Sequence, residues 1–320
     1  MRPIYTIAFL LLIGCTKSTA QPESFMVGGY VPSWTNGSTI DYSKLTHVFF
    51  AFLKAKSDGS LLPFGPQEQA AFDKFKTRAA GKQRFISLGG GGDETLPAMA
   101  ATEEGRTRFA AACVQFCIDN ELQGADMDWE MIRDNTNAAN FEALMKVMSE
   151  QLHAKKLQLV ATVAHGWGGE YYSAKSLKYA DWIQLMVYDQ AGSWADSPYG
   201  NHATFQHVID AVDFWKRKGY TKTANMVIGL PFYGYKFKSA TGGLGEQVGY
   251  NTIVNWFPFL TNETNEHNLV VFNGPALIKE KTVYAKRKGF KGVMIWEMTQ
   301  DVPSDQPKSL LKAIEEGVKE

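Results

Sequence analysis

The sequence predicts an α/β protein that folds as a single-domain (β/α)8 TIM barrel. Two observations support this prediction: short apolar runs recur along the chain, and amphipathic segments separate most of them. The candidate strands span residues 26–31, 45–53, 84–90, 122–130, 157–164, 182–189, 226–234 and 292–297. Eight strands that alternate with helices favour a closed parallel barrel, in which functional side chains lie at the carboxyl ends of the strands.

The segments between the strands have helical spacing of their apolar residues. The clearest helices are predicted over residues 102–120, 137–156, 204–220 and 275–290. The longest stretch between two strands, residues 235–290, is expected to hold a polar loop and one helix, which leaves too little chain for a substantial inserted domain. We therefore predict one barrel domain over residues 25–320.

The first 14 residues are typical of a bacterial export signal. Arg2 supplies a positive charge, and residues 4–13 form an uncharged run that is too short to span a bilayer. LIGC at 12–15 resembles the lipobox of bacterial lipoproteins, which implies that Cys15 becomes acylated. Residues 15–24 would then form a lipidated tether to the bacterial envelope, at the outer membrane or cell surface. The alternative is an ordinary signal peptide with a chance cysteine, and membrane partitioning of a Cys15→Ser variant distinguishes the two.

The amino-acid composition limits the classes of ligand that the protein is expected to bind. Lys plus Arg and Asp plus Glu number 33 each, so the formal charge is zero and nothing indicates a nucleic-acid surface. Aromatic residues make up 13% of the chain, which suits a neutral ring-shaped ligand such as a sugar, although Trp also fills protein cores. Cys113 and Cys117 lie on the apolar stripe of a predicted helix, and we expect buried free thiols. We expect no metal, no cofactor and a monomeric protein.

One predicted strand, LQGADMDWE at 122–130, places three acidic residues on a single face. Side chains alternate along a strand, so Asp126, Asp128 and Glu130 share one face while the intervening apolar residues share the other. Burying carboxylates without partners is costly, and a structural role for three in line is hard to motivate. The pattern therefore predicts a column of catalytic carboxyl groups that rises through the barrel towards its mouth.

Several motifs resemble those of glycoside hydrolase family 18, the chitinase-like barrels. QGADMDWE at 123–130 is similar to the DxxDxDxE motif of strand four, SLGG at 87–90 to SxGG of strand three, and MVYD at 186–189 to MxYD of strand six. Further matches lie at residues 188–194, 229–234 and 292–296. The motifs occur in the order and spacing of the barrel and cover nearly the whole mature chain.

The resemblance implies a retaining hydrolysis in which the N-acetyl group of the substrate attacks the anomeric carbon. Glu130 would be the general acid and then the base, and like-charge repulsion from Asp128 is expected to raise the pKa of Glu130. Asp128 would orient the acetamido group, and Asp126 would adjust the charge beneath it. Tyr188 would donate a hydrogen bond to the acetamido carbonyl oxygen.

The resemblance and the strand positions also indicate sugar-binding residues. Trp296 would form the floor under the sugar at the cleaved bond, and Asp189 would bind the sugar or brace the network around it. The remaining candidates lie at or near strand ends, where core packing is the alternative role; they are Met186, Tyr30, Trp34, Phe50, Trp194 and Tyr233.

Two residues depart from the family pattern. Gln123 stands where the family usually has aspartate, and Gly91 stands where it often has tryptophan. We expect Gln123 to lie deepest in the barrel and to alter the proton balance of the acidic column without abolishing activity.

Three functions fit these residues. The first is hydrolysis of β-1,4 linkages next to N-acetylglucosamine in chitin or chitooligosaccharides. The second is an endo-β-N-acetylglucosaminidase that acts on N-glycan cores, and the third is a sugar-binding relative without catalysis. In each case the expected partner is a glycan that contains N-acetylglucosamine.

Overall fold

The computed structural model describes residues 25–130 and 132–320, and its centre is a closed barrel of parallel strands. The strands within these two ranges are β1 Met26–Pro32, β2 His47–Leu53, β3 Gln83–Gly89, β4 Gly124–Asp128, β5 Gln158–Val163, β6 Trp182–Leu185, β7 Met226–Pro231, β8 Tyr233–Lys236, β9 Glu246–Gly249, β10 Glu266–His267, β11 Val270–Val271 and β12 Gly292–Trp296. The first seven strands and β12 form the barrel, and β12 closes it by pairing with β1. All eight predicted barrel strands are confirmed.

Helices pack around the barrel. They are α1 Pro66–Arg78, α2 Thr95–Ala100, α3 Glu103–Asp119, α4 Asn135–Ala154, α5 Ala174–Leu177, α6 Phe205–Arg217, α7 Tyr250–Trp256, α8 Pro275–Arg287 and α9 Leu310–Lys319. Several begin at a side chain that accepts a hydrogen bond from the first turn, as Thr102, Asp134 and Thr204 do for α3, α4 and α6. Such caps satisfy backbone N–H groups that have no partner inside the helix.

A small antiparallel sheet stands between β7 and α8. Its strand order is β10-β11-β8-β9, and it occupies part of the stretch for which the sequence predicted a polar loop. The predicted strand at 226–234 is two strands, because β7 ends at Pro231 and β8 begins at Tyr233. Strands of two to four residues leave no readable periodicity, which explains why the sequence did not reveal this sheet.

The strands separate two apolar cores. The outer core lies between strands and helices; there, Met127 and Trp129 of the acidic segment pack outward, as the alternation predicted. The inner core fills the barrel with residues that include Phe49, Phe85 and Trp182. Polar groups of the barrel interior lie among and above these rings, where they form the site described below.

Phe50, which the sequence analysis placed among the sugar-binding candidates, belongs to the outer core, so that prediction was wrong. Its neighbour Phe49 faces the barrel interior, and alternation therefore turns Phe50 towards α1. Its ring centroid lies 5.0 Å from that of Phe72 and 5.3 Å from that of Phe75, and the side chain is fully buried. Phe50 stabilises the attachment of α1 to the barrel.

Other sequence predictions concern cysteines and the membrane. Cys113 and Cys117 are buried free thiols, as predicted, and burial raises the pKa of Cys117 to about 12. Cys15, the signal segment and the tether lie outside the described residues. Within the two described ranges, the helices are too short or too polar to cross a membrane.

Replacement of Phe50 by Ala is expected to lower the free energy of unfolding by about 3–5 kcal/mol, because it leaves a cavity between β2 and α1. Urea denaturation measures this change. The control is Phe259→Ala, at a ring that is 68% exposed, which should change stability by less than about 0.5 kcal/mol. A Phe50→Ala variant as stable as this control would contradict the packing role.

Candidate active site

The carboxyl ends of the barrel strands surround a cavity of about 430 Å³. The predicted residues that line it are Tyr30, Trp34, Asp128, Glu130, Met186, Tyr188, Asp189, Tyr233 and Trp296. Asp126 lies beneath the cavity, and Phe50 lies outside the barrel interior. Trp194 is 41% exposed and lies beside Gly192 rather than in the cavity wall, so its role in a sugar subsite stays a prediction.

Asp126 forms the base of the acidic column and is completely buried. Its carboxylate accepts hydrogen bonds from the hydroxyls of Tyr30 at 2.7 Å, Ser87 at 2.7 Å and Thr162 at 2.8 Å. The Gln184 amide in turn donates to the Tyr30 hydroxyl at 2.7 Å. Burial raises the pKa of Asp126, while these hydrogen bonds oppose the rise. Asp126 is thus a fixed and satisfied group that does not reach the cavity.

Asp128 lies one step higher and is only 3% exposed. Its Oδ1 atom is buried and accepts no hydrogen bond from any residue in the described part of the chain. Burial raises the pKa of Asp128 well above its usual range, and repulsion from Glu130 and then Asp126 adds to this. A buried acceptor without a donor is costly, so Asp128 is a group that a ligand N–H would satisfy.

Glu130 follows the end of β4 and stands at the mouth of the column. Burial raises its pKa to about 7, repulsion from Asp189 adds to the rise, and Lys54 and Arg133 oppose it. The sequence analysis attributed this shift to Asp128; burial and Asp189 are instead its causes, and the Asp128–Glu130 repulsion contributes to the pKa of Asp128. Glu130 therefore holds a proton in an appreciable fraction of molecules near neutrality.

Asp189 connects β6 to the small sheet. Its Oδ1 accepts hydrogen bonds from the hydroxyls of Tyr233 at 2.6 Å and Tyr235 at 3.0 Å. The Tyr188 hydroxyl has no hydrogen-bond partner among the described residues, and its ring lies edge-on to that of Tyr233 with centroids 6.0 Å apart. Tyr188 therefore presents a free donor to the cavity beside Asp128 and Glu130.

Aromatic rings form one wall of the cavity. Trp296 ends β12, and its ring stacks on that of Phe52 with centroids 5.6 Å apart. The ring centroids of Tyr30 and Trp34 lie 5.4 Å and 6.3 Å from that of Trp296. Trp34 is 54% exposed, so this wall extends from the buried floor to the solvent. Such a surface suits the apolar face of a sugar ring.

Gln123 does not act on the acidic column, and that expectation was wrong. It precedes β4, and its Oε1 accepts a hydrogen bond from the backbone N–H of Arg84 at 2.6 Å. Asp126 lies three positions after Gln123, and an odd separation places two strand side chains on opposite faces. Gln123 joins β3 to β4 at the base of the barrel and is no part of the cavity.

Gly91, the second departure from the family pattern, lies directly beside the acid. A Cβ atom at this position would stand 3.5 Å from Glu130 Oε2. The absence of a side chain therefore leaves open space on one side of Glu130.

Sequence reasoning missed several residues around the column. Thr162 and Gln184 face the barrel interior on β5 and β6, and a polar residue within each apolar run was the available signal. Lys54 lines the cavity and forms an ion pair with Asp93 at 3.4 Å, while Tyr235 arrives from the small sheet. No local pattern indicated these last contacts, because separate loops bring the groups together.

The residues that the structure describes contain no cluster of three or more His, Cys, Asp or Glu side chains able to hold a metal ion. Each polar group of the cavity described above is a proton donor or acceptor. Together they can bind an amide, transfer a proton and shield the reacting atoms in an aromatic-walled cleft.

Comparisons with known proteins agree with this geometry. The family model of glycosyl hydrolases family 18 matches residues 26–301. Endochitinase 1 of Metarhizium robertsii (strain ARSEF 23 / ATCC MYA-3075) is 27% identical over 327 residues, which cover 81% of this chain and 76% of that protein.

Solved structures share the fold. The GH18 chitinase ChiB from the chitin utilization locus of Flavobacterium johnsoniae has a TM-score of 0.79 and 24% identity, covering 93% of this chain and 94% of its own. A class V chitinase from Nicotiana tobaccum, solved in complex with NAG4, has a TM-score of 0.80 and 22% identity, covering 92% and 99%. Because the family model spans the chain from the first barrel strand to beyond the last, this protein belongs to the glycosyl hydrolases of family 18.

Proposed function

We propose that this glycoside hydrolase cleaves β-1,4 linkages next to N-acetylglucosamine in chitin or chitooligosaccharides, with the substrate's own acetamido group as nucleophile. One observation carries the proposal: the buried, unpartnered Oδ1 of Asp128 shares a cavity with the free Tyr188 hydroxyl and with a carboxyl group, Glu130, whose pKa is about 7. An acetamido group offers an N–H for Asp128 and a carbonyl oxygen for Tyr188. The chitinase names of the relatives and structural neighbours are consistent with this substrate.

In the first step, Glu130 donates its proton to the glycosidic oxygen as the bond from that oxygen to the anomeric carbon breaks. The acetamido carbonyl oxygen forms the new bond to the anomeric carbon and gives a cyclic oxazolinium ion. Asp128 accepts the N–H hydrogen bond and stabilises the positive charge, while Tyr188 keeps the carbonyl oxygen in line for attack. Asp126, beneath, responds to the changing charge of Asp128.

In the second step, the Glu130 carboxylate removes a proton from a water molecule as that water attacks the anomeric carbon. The oxazolinium ring opens, and the acetamido group is restored. Two successive displacements at one carbon return its original configuration, so the reaction is retaining. Trp296 supplies an apolar floor under the reacting sugar.

An endo-β-N-acetylglucosaminidase that acts on N-glycan cores is the second candidate, since its substrate carries the same acetamido group. The open space at Gly91 favours it, because a bulky leaving group could lie there beside Glu130. Catalysis is favoured over sugar binding alone, because both the acid and the acetamido-binding groups are present.

Incubation with chitooligosaccharides and with a high-mannose glycoprotein separates the candidates. We expect cleavage of the chitooligosaccharides, and a loss of at least about 100-fold in kcat for the isosteric Glu130→Gln variant, which cannot donate the acid's proton. Mass spectrometry of the products measures both. Release of the glycoprotein's glycan in preference to chitooligosaccharide cleavage would establish the second candidate. Binding without turnover of either glycan would overturn the enzymatic proposal.

The pH profile should decline on its alkaline side. Glu130 reacts in its protonated form, and this form is lost as the pH rises through its pKa of about 7. The value of kcat/KM on a chitooligosaccharide should therefore fall tenfold for each pH unit above this point. A profile that stays flat up to pH 9 would contradict the assignment of Glu130 as the acid.

A further inference from the structure

A buried polar network lies behind the part of the cavity wall that Asp189 and Tyr233 form. Its centre is His202, which is fully buried in the segment between β6 and α6. Its Nε2 atom lies 3.2 Å from the carbonyl oxygen of Tyr233, and its Nδ1 lies 3.4 Å from both the backbone nitrogen and Oδ1 of Asp189. The His202 carbonyl also accepts a hydrogen bond from the backbone N–H of Gln190 at 2.9 Å.

The contact with Tyr233 fixes the position of one proton on the His202 ring. A carbonyl oxygen can only accept, so Nε2 carries the proton that points to Tyr233. Nδ1 faces both the backbone N–H of Asp189, which only donates, and the Asp189 carboxylate, which only accepts. It accepts from the N–H when the ring is neutral and pairs with the carboxylate when the ring is protonated. The ring therefore joins Asp189 to β8, the strand that also supplies the two tyrosine hydroxyls bound by the Asp189 carboxylate.

Asp189 needs such support because its backbone has φ of 64°, a left-handed conformation that residues other than glycine seldom adopt. Hydrogen bonds to His202 hold its N–H and the N–H of the following residue. The Tyr233 and Tyr235 hydroxyls bind the Asp189 carboxylate itself, whereas the His202 ring holds the backbone from which that carboxylate extends.

Lys281 of α8 is hydrogen-bonded to the segment that carries His202. The lysine is fully buried, and its Nζ donates to the carbonyl oxygen of Ala203 and to Oδ1 of Asn273, both at 2.6 Å. Asn273 donates in turn to Oδ1 of Asn201 at 3.1 Å. Burial lowers the pKa of Lys281 to about 7, and the charge of Glu280 opposes this only in part. An amine that is buried at this cost and donates to two neighbouring segments holds those segments in place.

We propose that His202, held in place by Lys281, is a positioning residue that fixes the Asp189 carboxylate against Glu130, so that the proton on the catalytic acid is controlled from outside the cleft. This inference rests on the proposed role of Glu130 as the acid. Besides Asp189, the titratable groups that face His202 are Tyr233 and Tyr235 on β8, with His207 of α6 and Lys281 of α8 nearby.

The direction of the effect follows from charge. Asp189 raises the pKa of Glu130 by repulsion, second only to burial. An Asp189 that turns away would repel less, so Glu130 would lose its proton at a lower pH. The alkaline side of the pH profile should then move towards acid.

The test is a His202→Phe variant, which keeps a ring packed on Tyr233 and Tyr235 but removes both nitrogens. We expect kcat to fall about tenfold with KM changed less than twofold, and the alkaline limb of kcat/KM to move about one pH unit towards acid. Lys281→Met should shift the limb in the same direction. The double variant should resemble His202→Phe alone, because both residues act through Asp189.

Two controls match these replacements. Lys279→Met removes an exposed lysine of the same helix that pairs with Glu316 and Glu320, and His267→Phe replaces a histidine packed on Phe257 and Phe259. Both should leave the alkaline limb unchanged. A uniform loss of activity in His202→Phe with an unchanged limb would indicate a merely structural role and overturn the proposal.

A titration of Glu130 by carbon-13 NMR in the ligand-free protein makes the result independent of turnover. Glu130 should titrate about one pH unit lower in His202→Phe than in the wild type. If the wild type cleaves no glycan but this shift is present, the proposed function fails and the positioning role stands. If His202→Phe does not fold, the titration of Glu130 in Lys281→Met tests the proposal instead. Unchanged Glu130 titration in the folded variants refutes the proposal.

Discussion

The site depends on the burial of carboxyl groups inside a closed barrel. The interior of the barrel has a low polarisability compared with water, so an ionised carboxylate there is unfavourable unless hydrogen bonds compensate it. Asp126 receives three hydroxyl hydrogen bonds and is compensated. Burial raises the pKa of all three carboxyl groups, and hydrogen bonds oppose the rise for Asp126 alone. One strand segment therefore carries a hydrogen-bonded carboxyl group at the bottom (Asp126), one with an unpaired oxygen in the middle (Asp128) and a proton donor at the top (Glu130).

The small sheet supplies hydrogen bonds to the Asp189 carboxylate that the barrel strands do not supply. Barrel strands point their side chains inward or outward, whereas Tyr233 and Tyr235 reach Asp189 from the small sheet above the barrel strands. Asp189 then acts on Glu130 by repulsion. These contacts continue from Asp189 through His202 to the segment that Lys281 of α8 holds. The catalytic acid Glu130 therefore depends on elements far from it in sequence.

Much of this arrangement could be predicted from the sequence, because strand alternation is a local property. It placed Asp126 and Asp128 inside the barrel and Met127 outside, and the structure agrees. Phe50 was chosen only because it lies near the end of a strand, and that criterion does not tell which face a side chain occupies. Gln123 was misplaced because its place in the motif was read as a place in the acidic column, although its odd separation from Asp126 excludes a shared face. Contacts of Lys54, Tyr235 and His202 depend on how loops meet in space, and sequence spacing carries no information about that.

The central claim is that Asp128 receives the substrate's acetamido group, and binding of a thiazoline analogue of the oxazolinium ion tests it most directly. Calorimetric titration needs no turnover and can be run with the wild type and with Asp128→Ala. We predict that the wild type binds the thiazoline and that the variant binds it at least about tenfold more weakly, since a charge-assisted hydrogen bond is lost. A wild type that does not bind the thiazoline, or a variant that binds it equally well, would contradict the claim.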